Sequence, residues 1–173
     1  MNTAAPKILF MHGLDSSRES LKFHALHSSA KICINVDYRN LNYLAVKSFY
    51  CEMIEKIQPE ILVGHGLGGY WALKMSLKYH LPAVVANPSL SPSFNQQYPA
   101  IRDEELEHDI AQMAYLELGD EILDMHQIQD RLESFMPIVS IKDGRHQLEY
   151  PDRLNELIQQ IQLQIDALAG SHK

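Results

Sequence analysis

Ile61-Leu-Val-Gly-His-Gly-Leu-Gly-Gly-Tyr-Trp-Ala72 joins two kinds of segment through one turn. Ile61-Leu-Val63 is apolar without alternation, the pattern of a strand buried on both faces. A glycine-rich turn over Gly64 to Gly69 follows, and from about Gly69 to Tyr79 the chain reads as a helix. Gly64 and Gly68 let strand and helix approach closely. Between them, at the corner of the turn, stands Gly66, and glycine accepts a positive φ there more easily than any other residue.

The same strand-then-helix rhythm extends in both directions. Strands are predicted at Lys7–His12, Lys31–Val36, Ala83–Ala86, Gln112–Leu118 and Pro137–Ile141. A first helix is predicted from a cap at Ser16 or Ser17 to about Ser29. A second runs from Tyr43, with Val46, Tyr50, Met53, Ile54 and Ile57 completing one apolar stripe, and stops before Pro59. Further helices are predicted from Met125 to Phe135 and from Pro151, which suits a first helical position, to about Ala169. Such alternation calls for a parallel sheet with helices on both faces. The expected fold is therefore α/β, with about six mostly parallel strands in a single domain over residues 1–173. The rhythm breaks at 88–110, a stretch rich in Pro, Ser and Asn that turns acidic after Arg102. A connection this long inside an α/β domain is expected to be a lid or a binding loop.

Composition narrows the class. The chain has 173 residues, 46% of them apolar and 21% charged, which suits one domain whose core needs no disulfide or metal. Its 22 acidic against 15 basic side chains, formally −7, argue against nucleic acid or an anionic membrane as partner. No apolar run reaches spanning length, and Met1 to Lys7 lacks a basic segment followed by an apolar stretch, so neither a membrane span nor a secretory signal is expected. Cys33 and Cys51 lie in apolar segments and read as buried free thiols of a cytoplasmic protein. For assembly the symmetric homodimer is the default expectation.

In open α/β sheets ligands bind beyond the carboxyl ends of the strands, so the residues there carry the functional reading. The first strand ends in His12-Gly13-Leu14, the third in the Gly64–Gly69 turn, the fifth in Gly119-Asp120-Glu121, and the sixth in Lys142-Asp-Gly-Arg-His146. Together they outline an α/β-hydrolase site in the chain order nucleophile, acid, histidine. Asp120 stands where an acid would orient the histidine, and His146 where a general base would stand. The backbone N–H groups of Leu14 and Leu67 are candidates for an oxyanion hole. The strand-to-helix turn of that architecture is G-x-S-x-G, but here the position between Gly64 and Gly68 is Gly66. The turn keeps its shape and lacks the attacking oxygen.

Five stretches carry a resemblance: Phe10-Met-His-Gly-Leu-Asp-Ser-Ser17, Val63-Gly-His-Gly-Leu-Gly-Gly-Tyr-Trp-Ala72, Ala86-Asn-Pro-Ser-Leu-Ser-Pro92, Leu118-Gly-Asp-Glu-Ile-Leu-Asp124 and Gly144-Arg-His146. With these the chain resembles the YqiA/YcfP-like family of small bacterial α/β-hydrolase-fold proteins, which are esterase-like. The resemblance implies a cytoplasmic protein with a minimal α/β-hydrolase sheet. In YqiA-like members a serine occupies the position of Gly66 and completes a triad with residues matching Asp120 and His146. The YcfP-like branch has the Gly-Leu-Gly-Gly-Tyr-Trp form found here at Gly66 to Trp71.

The expected function is thus an esterase-like protein that binds a small acyl or ester ligand without a cofactor and hydrolyses esters weakly or not at all. Two alternatives stand beside it. His146 with Asp120 can activate a water, or Ser89 or Ser91 can reach the pocket as nucleophile, although both serines also read as turn residues beside Pro88 and Pro92. Gly64, Gly66 and Gly69 also spell G-x-G-x-x-G between a strand and a helix, a dinucleotide fingerprint. That motif expects an acid about 20 residues on, where this chain has Asn87-Pro88. The remaining candidates read as structure. His24 and His27 share a helix without a third metal ligand, and His65 packs or bonds locally. His12 shapes the first turn, Trp71 and Met75 belong to the core, and Arg102 to Asp109 is a solvated helix face.

Overall fold

A computed structural model describes residues 5–170, so Met1 to Ala4 of the N-terminal reading above lie outside the described residues. Six strands form one sheet: β1 (Ile8–Met11), β2 (Lys31–Cys33), β3 (Ile61–His65), β4 (Ala83–Ala86), β5 (Gln112–Glu117) and β6 (Ile138–Ile141). Their order is β2-β1-β3-β4-β5-β6, and every neighbouring pair is parallel. Because side chains alternate along a strand, each apolar run supplies both faces. Leu9, Met11, Leu62, Val85, Ala114 and Leu116 belong to one core cluster. Ile8, Phe10, Ile61, Val63, Val84 and Tyr115 belong to the other. The helices α2 (Tyr43–Ile57), α3 (Leu67–Tyr79) and α4 (Met125–Leu132) cover the first face, while α1 (Leu21–His24) and α5 (Leu154–Gly170) cover the second.

Several elements are shorter than the pattern predicts, and for two of them the local reason is visible. The first helix is a single turn capped by Ser20, whose side chain accepts the Lys22 N–H. Ser16 and Ser17 instead build turns: the Ser16 N–H donates to Gly13 O at 3.2 Å, and Ser17 Oγ accepts the Glu19 N–H at 3.1 Å. Hydroxyls that bond nearby backbone compete with helix in this way. On the far side Asn155 Oδ1 takes the His27 N–H at 2.8 Å. Strand β2 stops at Cys33 because the chain leaves the ladder for the His12 ring, whose Nε2 accepts the Val36 N–H at 2.8 Å.

The insertion over 88–110 is fastened to the sheet face covered by α3. Leu90, Tyr98, Ile101 and Leu106 are buried in that core. Tyr70 Oη donates to Pro99 O at 2.7 Å, and Lys74 Nζ pairs with Glu105 Oε1 at 2.5 Å. Its acidic stretch is a single 3-10 turn, Asp103–Glu105, that buries Leu106 rather than the solvated helix face expected for Arg102 to Asp109. Among the described residues no helix is long and apolar enough to cross a membrane.

The strand order reverses between β1 and β3, the switch point where an open α/β sheet leaves a crevice. The His12-Gly13-Leu14 turn and the Gly64–Gly69 turn both leave the sheet there.

Candidate active site

The β3–α3 turn is the centre of the site. Gly66 precedes α3 with φ +59° and ψ −122°, a conformation that strains any residue with a side chain. Gly64 and Gly68 are demanded by contact. A Cβ on Gly68 would fall on the carbonyl of Met11, and one on Gly64 would collide with the backbone of Gly68 and Gly69. A Cβ on Gly69 would lie 2.8 Å from Pro88 Cβ. The glycines of the G-x-G-x-x-G spelling at Gly64 and Gly69 therefore face protein and are spent on joining strand to helix.

Gly66 differs, because a Cβ there would make only ordinary van der Waals contacts. A Cβ built on it would sit 3.4 Å from His146 Nε2, 3.5 Å from His146 Cε1 and 3.9 Å from Gly13 Cα. His146 Nδ1 lies 2.7 Å from Asp120 Oδ2, and the Asp120 side chain is wholly buried. Burial alone would push the Asp120 carboxyl up. The His146 hydrogen bond, the Leu123 and Ile122 N–H groups and the His146 charge outweigh it and hold the group below the usual carboxylate range. An ionised Asp120 requires the proton on Nδ1, so in the neutral form of the imidazole the acceptor is Nε2, which faces Gly66. Leu67 opens α3, so its N–H has no intrahelical acceptor. Among the described residues neither it nor the Leu14 N–H donates in the turn, loop and cap hydrogen bonds. Tertiary structure thus brings together Gly66, Asp120, His146 and the Gly13–Leu14 turn from positions far apart in sequence.

Four further residues serve the site and were not singled out by the sequence reading. Asn87, buried and at φ +40°, donates from Nδ2 to Asp120 Oδ2 at 3.0 Å. It also donates to Glu117 O at 3.1 Å and accepts the Glu117 N–H at 2.8 Å, bridging the ends of β4 and β5. Glu121 Oε2 accepts the His146 N–H at 3.1 Å. Lys22 Nζ donates to Gln147 Oε1 at 2.7 Å and steadies the next residue of the loop. Glu117, buried completely in β5, holds the loop around His146 through its carboxylate. A charged side chain inside an otherwise apolar strand was the legible signal, since such groups are rarely buried without partners.

His12 and His65 have structural duties. His12 donates from Nδ1 to Gly13 O at 2.8 Å and accepts Val36 N–H at Nε2, and burial pushes its pKa down. His65 is more than local packing: its Nε2 donates to the carbonyl of His146 at 2.6 Å, and the two rings lie 5.0 Å apart. Burial, followed by the charges of Lys22 and His146, pushes His65 down to about 3, so it is neutral near pH 7. His24 Nε2 lies 3.4 Å from Glu19 at the surface. No group of three His, Cys, Asp or Glu able to hold a metal occurs among the described residues. Trp71 and Met75 are core residues, as read from the sequence.

Beside the turn lies a cavity of about 450 Å³ lined by Ser89, Leu90, Ser91, Leu123, Asp124, Gln127, Ile128 and Arg131. Both rims are tied to the site. The Ser89 N–H donates to Gly66 O at 3.0 Å, and the Leu123 N–H donates to Asp120 Oδ1 at 2.8 Å.

Residues 7–118 match the sequence model of an uncharacterised protein family, UPF0227. The chain belongs to UPF0227. A UPF0227 protein of Shewanella loihica is 31% identical over 99 residues, 50% of this chain and 55% of the relative, so that match spans about half the relative's length. A UPF0227 protein of Vibrio vulnificus is 27% identical over 157 residues, 76% of this chain and 85% of the relative. Both agree with the resemblance to small bacterial proteins drawn from the motifs. Among solved structures, naproxen esterase from Bacillus subtilis superposes with a TM-score of 0.71 at 15% identity, over 92% of this chain and 84% of that one. Est1E from Butyrivibrio proteoclasticus, solved with ferulic acid bound, gives 0.72 at 11% identity, over 95% and 90%. Mouse alpha/beta hydrolase domain-containing protein 10 gives 0.67 at 17% identity, over 97% and 92%. At these identities the likeness shows the fold, and the fold of this UPF0227 chain is that of the α/β hydrolases.

Proposed function

We propose that this chain is an esterase-like protein whose nucleophile elbow carries Gly66 where a serine would attack, and that it binds a small acyl or ester ligand while hydrolysing esters weakly or not at all. The observation that supports this is the aim of His146. Its Nδ1 is bonded to Asp120, and its Nε2 faces the empty Cβ position of Gly66 at 3.4 Å. That is the arrangement of a general base with its orienting acid, lacking the group to be deprotonated. In this reading the N–H groups of Leu14 and Leu67 hold the ligand's carbonyl oxygen, and the cavity rimmed by Ser89 and Leu123 takes its acyl chain. The Gly66–Trp71 form favours the YcfP-like branch of the family, and a cytoplasmic setting accords with two free cysteines.

Loss of a serine nucleophile costs on the order of 10⁶ in kcat, leaving roughly 10³–10⁴ over water from oxyanion stabilisation and binding. Steady-state hydrolysis of p-nitrophenyl acetate and butyrate is therefore expected near background. Rapid turnover that disappears in His146→Ala would refute the reading. The approach of His146 Nε2 to a residue without a side chain favours one second reading, in which a water bonded to Nε2 is activated by His146. It predicts slow turnover that depends on His146 and Asp120 and leaves no fluorophosphonate adduct, whereas an adduct at Ser89 or Ser91 would assign the nucleophile to the insertion.

A further inference from the structure

We infer that Glu117 is the positioning residue of this site, setting Asp120 and His146 in register with each other through one buried carboxylate and its own backbone. The inference rests on the proposed reading of His146 as the site's base. Glu117 ends β5, three residues before Asp120, and is completely buried. Its Oε1 accepts the N–H groups of Arg145 at 3.0 Å and Glu149 at 2.7 Å. Its Oε2 accepts the Tyr150 N–H at 3.0 Å and the Tyr115 hydroxyl at 2.8 Å. The three backbone donors flank His146 on both sides, so the carboxylate gathers residues 145–150 around itself and presents the imidazole outward. The fit is close enough to need Gly144 at φ +84°, where a Cβ would meet Glu117 Cβ at 2.5 Å and Cδ at 2.6 Å.

The backbone of the same residue holds the other partner. Asn87 accepts the Glu117 N–H, donates to the Glu117 carbonyl, and from the same amide nitrogen donates to Asp120 Oδ2. Acid and histidine are thus both referenced to Glu117, one through Asn87 and one through the loop. The chemistry explains why a carboxylate stands inside an apolar strand. Only an acceptor-only group with about four lone-pair sites satisfies four converging donors, and charge-assisted bonds offset the burial. Glutamine has the same shape but would set its NH₂ against the Arg145 and Glu149 N–H groups in one orientation and against the Tyr150 N–H in the other, where only the Tyr115 hydroxyl can turn to accept.

The test is a nuclear magnetic resonance measurement that needs no turnover. The His146 Nδ1–H proton bonded to Asp120 is observed in wild-type protein and assigned by its disappearance in His146→Gln. Glu117→Gln is expected to fold, by circular dichroism and the β-sheet amide pattern, yet lose that resonance. Glu117→Asp, which keeps the charge and shortens the reach, is expected to weaken it. Folded variants with the wild-type resonance overturn the inference. Should neither variant fold, wild-type amide exchange decides: Arg145, Glu149 and Tyr150 protected like β5 supports the carboxylate anchor, and exchange at open-loop rates overturns it. An inert Gly66→Ser protein whose Nδ1–H resonance still depends on Glu117 refutes the proposed function and leaves this inference standing. Absence of the resonance in wild type removes both.

Discussion

If the proposed function holds, serine placed at Gly66 supplies the one group missing from a hydrolase triad, and the size of its effect follows from the structure. The added Cβ meets no backbone closer than Gly13 Cα at 3.9 Å, and His146 Nε2 lies 3.4 Å away, so the hydroxyl is within hydrogen-bonding reach of the base. The cost is the backbone, since φ +59° with ψ −122° strains any residue with a side chain. Strain of this kind is worth about 1–3 kcal/mol. For a chain of this length each kcal/mol lowers Tm by about 2–4 °C, so a fall of about 2–12 °C is expected. The gain is catalytic. In subtilisin the nucleophile is worth about 2 × 10⁶ in kcat, and a misplacement of about 1 Å costs about 10²-fold. Two such errors still leave Gly66→Ser about 10²-fold faster than wild type on p-nitrophenyl acetate. Gly66→Ala is the control, carrying the same strain without the oxygen. His146→Ala in the serine background should return the rate to the wild-type level. A Gly66→Ser protein that melts with Gly66→Ala and is equally inert would refute the reasoning, because Nε2 would then not be aimed at the elbow.

Asn87→Ala should destabilise the fold by about 2–4 kcal/mol in urea unfolding, since it removes one donor from the buried Asp120 carboxylate and leaves the buried Glu117 N–H without its acceptor. A loss under about 0.5 kcal/mol, the range of an ordinary surface change, would show that the bridge between β4 and β5 carries little. Stability should also fall with acid earlier than carboxylates alone dictate. Folded His65 titrates at about 3, and unfolded histidine near 6.5. Between those values the unfolded chain holds the extra proton, so the contribution is complete above pH 6.5 and is lost by about 1.4 kcal/mol per unit as pH falls toward 3. His65→Gln should flatten the slope of unfolding free energy between pH 6.5 and 4.5, and an unchanged slope would contradict a neutral buried ring. NAD, NADP and FAD are expected to leave Tm unchanged, because Gly64 and Gly69 are filled against protein. A saturable rise with any of them would restore the dinucleotide reading.

The α/β class, all six strands and the Gly64–Gly69 turn were legible in the sequence because they rest on local rules: apolar runs without alternation, helical stripes, and glycines where strand meets helix. Asp120 and His146 were legible for a related reason, since a parallel sheet sends the residues after its strands to one edge. Errors fell where side chains compete for backbone. Ser17 made a turn instead of a cap, and the His12 ring drew Val36 out of β2. Nothing local in Ala86-Asn87-Pro88 announces an amide that bonds Asp120, and while a charge in the apolar strand at Glu117 signals that partners exist, nothing in Tyr115-Leu-Glu117 says which four donors they are. Nor does Gly64-His-Gly66 reveal that His65 holds the carbonyl of a residue 81 positions away. The sequence by itself determined which elements form and which residues reach the sheet's edge, because propensity and periodicity act over a few residues. Tertiary structure alone decided which of those residues meet, because a buried polar group takes its partner from whatever the packed chain brings within 3 Å, however distant along the sequence.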